Sequence, residues 1–175
     1  TDVRSLEGMP ETSLRAAESL AREEGREGWV FTLAAPSFFP FMQHCPDGRL
    51  REEMYRAKMT VGAAGDEYDN RALIRELVNL RLEYAQLLGA KNYAEKALRL
   101  RMARRPEAVY QLLDELLGAY RPIAEEELAR VEAYAREHGQ AEALQPWDWS
   151  YWAQQYQRAY YELDEEMLRP YFELS

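Results

Sequence analysis

Apolar positions recur at three-to-four-residue spacing along most of the chain, the period of helices with one buried stripe. In "PETSLRAAESLAREEG", Pro10 stands near a first helical turn, Leu14, Ala17 and Ala21 follow the helical period, and Gly25 marks the end. "GWVFTLAAP" breaks this pattern with a β-branched and aromatic run between Gly28 and Pro36, and at most a short two-stranded ribbon is expected near 29–33. "PSFFPFMQHC" reads as a compact turn or short helix, and "DGRLREEMYRAKM" as a charged helix with Leu50, Met54 and Ala57 inward. The clearest element is "DNRALIRELVNLRLEYAQLLG", where Leu73, Leu77, Leu80, Tyr84 and Leu87 form a stripe and Gly89 falls at the C′ position. Asn92 and Glu95 have the spacing of a capping box. The next helix starts at Pro106 and carries Val109, Leu113, Leu116 and Tyr120. It kinks where the Pro122 ring crowds the carbonyl of Gly118, then resumes through Ile123, Leu128, Val131 and Ala135 to Gly139. An aromatic helix is expected from Pro146, followed by "DEEMLRPYFEL". The predicted fold is all-α: an irregular bundle of roughly eight helical pieces, forming a single domain over 1–175 with no fixed repeat.

Composition narrows the function. The 175 residues are 47% hydrophobic and 30% charged, the balance of a globular chain. A net charge of −9 argues against phosphate-driven nucleic-acid binding. The arginines of "LRLRMARRP" at 98–106 read as a solvated helix face. No run is long and apolar enough for a membrane span, and a single cysteine, Cys45, suits a reducing compartment, so the cytoplasm is expected. The chain starts on Thr1 rather than on a methionine and opens on polar residues, and a piece of a longer chain is expected.

Most catalytic patterns are missing from these residues. There are two histidines, His44 and His138, and no HExxH. His44 beside Cys45 is weighed as a metal pair or nucleophile, but neighbours in sequence do not face one another on a helix, and packing is the preferred reading. "VGAAGDEYDN" has neither GxGxxG nor a Walker lysine and reads as a flexible loop. Glu125, Glu126 and Glu127 read as a solvated face. No catalytic and no metal-ligating residue is therefore assigned in this chain.

"QPWDWSYWAQQY" at 145–156 concentrates large rings. On a helix from Pro146, Trp149, Trp152, Tyr156 and Leu163 share a face, with Trp147, Tyr151 and Tyr160 beside it. Core packing is the main reading. A wall for sugar or peptide remains open, with Trp147 and Trp149 as the substrate-binding candidates.

Several words stand in a specific order: "GWVFTLAAPSFFPFM" at 28–42, "RLREEMYRA" at 49–57, "YDNRALIRELVNLRLEYAQLLGAKNYAEKAL" at 68–98, "MARRPEAVYQLL" at 102–113, "LQPWDWSYW" at 144–152 and "LDEEMLRPYFEL" at 163–174. This series resembles the thimet oligopeptidase family of zinc metallopeptidases, from about Gly28 to Leu174, with the helix in 1–27 weakly matched. "EYDN" with "QPWDWSYW" leans toward the bacterial dipeptidyl carboxypeptidase branch, with oligopeptidase A the near alternative. "HCPDGR" at 44–49 and "RRP" at 104–106 depart from the family pattern.

The resemblance implies a helical fold with a deep channel for short peptides. It also implies zinc held by the two histidines of HExxH and a later glutamate, all downstream of "RPYF". The expected role is then a non-catalytic helical segment that helps form the substrate-channel lobe. Its partners would be the rest of the parent enzyme and, for that parent, short peptides; zinc would belong to the parent, not to this chain. Nucleic acid and membrane are not expected as partners. The competing reading is a free-standing module that binds a protein or peptide through the aromatic patch at 146–161.

Overall fold

A computed structural model of the chain describes residues 3–161. The predicted "DEEMLRPYFEL" element and Leu163 lie outside the described residues. The fold is all-α: a 3₁₀ turn at Val3–Leu6 precedes seven helices, α1 (Glu11–Glu23), α2 (Ala35–His44), α3 (Gly48–Met59), α4 (Arg71–Leu87), α5 (Tyr93–Leu98), α6 (Pro106–Glu137) and α7 (Trp149–Tyr161). Among the described residues there are seven helices, where roughly eight pieces were expected over the whole chain.

The described residues form two compact units, one comprising 3–59 with 128–161 and the other 60–127. In the first unit α2 packs against α1, α3 and α7. One core joins Leu6, Met9, Phe41 and the fully buried Cys45, with Trp29, Phe31 and Met54 against it. A second joins Val131 and Ala135 of α6 to Trp152 of α7.

No ribbon forms at 29–33, and no strand occurs among the described residues. The segment is used differently. Val30 donates its N–H to the carbonyl of Ala17 on α1 (3.0 Å), Thr32 donates to Ser37 Oγ (2.9 Å), and Lys58 Nζ reaches the Leu33 carbonyl (2.7 Å). These partners leave no strand to pair with, and Trp29 and Phe31 pack as core side chains.

Helix ends follow local chemistry closely. At α4 the N–H of Gly89 bonds Gln86 O and that of Ala90 bonds Ala85 O, the paired bonds of a Schellman motif. Gly89 has φ 70°, a conformation that glycine adopts without a Cβ penalty. Asn92 Oδ1 accepts from the Glu95 N–H (2.9 Å), and Glu95 reaches back to the Lys91 N–H (2.6 Å), one residue earlier than an ideal capping box. Pro122 lies inside α6, which continues as a helix on both sides of it.

The second unit contains α4, α5 and the first part of α6, and α4 packs against α5. Lys96 of α5 lies over the rings of Tyr84 (4.6 Å) and Tyr93 (5.6 Å), and Arg81 of α4 over Tyr93 (5.1 Å). The stripe predicted to face inward, Leu73, Leu77, Leu80, Tyr84 and Leu87, is exposed, and Ala85 is the buried residue of α4.

The loop before α4 is tied to itself rather than loose. Asn70 donates its N–H to Gly62 O (2.8 Å), Asp69 Oδ2 accepts from Gly65 N–H (2.8 Å), and Asp66 Oδ1 accepts from Tyr68 N–H (3.0 Å). A Cβ on Gly62, itself at φ 70°, would lie 2.8 Å from Asn70 Nδ2. The Arg71 guanidinium holds both carboxylate oxygens of Asp69. That side-chain bond, then the Arg71 and Gly65 N–H groups, keeps the Asp69 carboxyl well below the usual carboxylate range. A depressed pKa contributes order that is present above the unfolded value and lost as pH falls through the folded one. Hydrogen exchange at Gly65 and Arg71 is therefore expected to stay protected as pH falls through the ordinary aspartate range. Loss of protection within that range would contradict the pairing.

The connection from α5 to α6 contains a strained residue. Arg104 has φ 60°, and the Arg105 N–H bonds Ala103 O across it (2.7 Å), a γ-turn centred on a non-glycine residue. Left-handed backbone costs a side-chain-bearing residue about 1–2 kcal/mol, offset in part by the extra unfolded-state freedom of glycine. Arg104→Gly is expected to stabilise the protein by up to about 1 kcal/mol, read from the midpoint of urea unfolding.

Candidate functional site

The most concentrated chemistry lies in the first unit, where the start of α3 meets the turn before α7. Asp47 initiates α3: its Oδ1 accepts from the N–H groups of Arg49 (3.0 Å) and Leu50 (3.4 Å). Burial pushes its carboxyl up, but those N–H groups and the Arg49 guanidinium outweigh it, and the net direction is down.

The helical period places Leu50, Met54 and Ala57 inward. Leu50 and Met54 are half-buried and pack on the first core, Ala57 is exposed, and the buried residue of α3 is Arg51. With 3% of its surface exposed, Arg51 uses every arm of its guanidinium. Nε donates to Trp147 O (3.2 Å), Nη1 to Cys45 O (2.8 Å) and Pro46 O (3.1 Å), and Nη2 to Asp148 Oδ1 (2.6 Å). Its Cζ also lies 4.4 Å from the centre of the Tyr151 ring. Asp148, equally buried, spends its second oxygen on the Gln145 N–H (3.1 Å), while its carbonyl accepts from Trp152 N–H (3.0 Å). The carboxylate thus closes the turn at 145–148, and α7 begins at Trp149 instead of Pro146.

A cavity of about 550 Å³ opens beside this pair, lined by Arg51, Asp148, Trp147, Tyr151, Trp152 and His138 among others. Of the two substrate-binding candidates, Trp147 lines it. Its ring packs between Tyr55 (6.1 Å) and the Arg56 guanidinium (4.9 Å) of α3. Trp149 is not part of the lining and is 37% exposed. Of the face drawn through Trp149, Trp152 and Tyr156, Trp152 is the buried member, stacked edge-on against Tyr151 (5.2 Å) and Tyr134 (6.3 Å). Burial raises the Tyr151 hydroxyl pKa, against the pull of Arg51.

The remaining polar candidates act in packing. Cys45 donates its thiol to Ser5 O (3.4 Å), and burial raises its pKa, the opposite of what a nucleophilic or metal-binding thiolate needs. His138 stacks on Tyr134 (4.0 Å), and its Nδ1 meets the Tyr134 carbonyl (2.8 Å). Among the described residues no group of three or more His, Cys, Asp or Glu side chains could hold a metal ion. They do not fit the zinc of the family the sequence resembles. No helix among the described residues is long and apolar enough to cross a membrane.

The Peptidase family M3 profile matches residues 41–175, which include the whole Arg51–Asp148 site. The chain belongs to peptidase family M3. It is 42% identical to oligopeptidase A of Escherichia coli over 98% of its own length. It is 38% identical to a probable cytosolic oligopeptidase A of Arabidopsis thaliana and 35% identical to the dipeptidyl carboxypeptidase of Escherichia coli, each over 99%. In all three the match covers 26% of the relative, so the chain spans about a quarter of the length of the curated relatives it matches. Oligopeptidase A thus stands at higher identity than dipeptidyl carboxypeptidase, whose branch the words "EYDN" and "QPWDWSYW" favoured.

Arg51 and Asp148 went unnoticed in the sequence. The available signal was an acid enclosed by tryptophans in "PWDW", together with an arginine one position off the apolar stripe of α3.

Proposed function

We propose that this chain is a non-catalytic helical part of a cytoplasmic, zinc-dependent peptidase that hydrolyses short peptides, and that it helps build a lobe of the substrate channel. The observation that carries the reading is the similarity to oligopeptidase A and dipeptidyl carboxypeptidase over nearly the whole chain. The site just described supports a structural contribution. Its charges are spent on one another and on backbone carbonyls, which fixes α3 against α7 and leaves neither Arg51 nor Asp148 free for proton transfer. In this reading Trp147 is the better of the two candidate substrate contacts, because it lines a cavity.

The test is to express the entire reading frame and, separately, residues 1–175, and to follow cleavage of a quenched fluorescent peptide with and without a chelator. Chelator-sensitive turnover by the full frame and none by residues 1–175 is the expected pattern. A full-length product without peptidase activity, or turnover by the 175 residues alone, would overturn the proposal.

A further inference from the structure

We draw no further inference here: the strongest candidate, the cavity of about 550 Å³ between the start of α3 and the turn before α7, belongs to the site already described, and nothing in the structure shows what would fill it.

Discussion

Asp148→Ala is expected to cost about 3–5 kcal/mol of stability, the range for removing one partner of a buried ion pair. The loss comes less from the missing 2.6 Å contact than from what remains: a guanidinium 97% removed from water with no counter-charge. The turn suffers as well, because the Gln145 N–H loses its acceptor. Asp148→Asn should cost nearly as much as alanine: the amide supplies no charge and keeps one acceptor oxygen, for Arg51 or for the Gln145 N–H, while its NH2 is turned toward the other donor. Arg51→Leu should be at least as damaging as Asp148→Ala, since it leaves the Asp148 carboxylate and the carbonyls of Cys45, Pro46 and Trp147 without their donor. Urea unfolding of the three variants measures this. An Asp148→Ala protein within about 0.5 kcal/mol of the parent, the scale of ordinary surface changes, would show that the pair does not hold α3 to α7.

The contrast between this pair and the helix ends shows which parts of the fold a sequence can display. Gly89, Asn92 and Pro106 act on backbone within a few residues, so the end of α4, the cap of α5 and the start of α6 were each predictable from neighbours alone. The Arg51–Asp148 bond spans 97 positions. No periodicity reports such a partner, and an arginine in "RLREEMYRA" looks like any solvated charge. The same long-range contact explains why the aromatic helix starts at Trp149. Pro146 supplies a good local start, but the chain around it is committed to the turn that presents Asp148 and the Trp147 carbonyl to Arg51. The segment at 29–33 failed as a ribbon for a related reason. Its β-branched and aromatic residues are core side chains, and its backbone is claimed by α1 and by the side chains of Ser37 and Lys58. The stripe of α4 is a different case: its period was legible and its helix forms, yet among the described residues nothing covers it along its length.

The aromatic stretch is decided at Trp152. Its ring is the largest side chain of the core that joins α7 to Val131 and Ala135 of α6, so Trp152→Ala should cost about 3–5 kcal/mol, transfer and cavity terms together. Trp152 nonetheless carries a defect, because its indole N–H is buried without an acceptor. An orphaned buried donor costs about 1–3 kcal/mol, a penalty that phenylalanine does not incur. Trp152→Phe gives up part of the ring area and removes that penalty, so the two changes oppose each other and the net effect should stay within about 1 kcal/mol. A wide gap between the alanine and phenylalanine variants is what a packing residue predicts. In the full-length protein, assayed well below its unfolding temperature, neither variant should alter the KM for a peptide. If Trp152→Phe instead raises KM with stability unchanged, the ring touches substrate, and the cavity it shares with Trp147 and Tyr151 is a binding wall before it is a core.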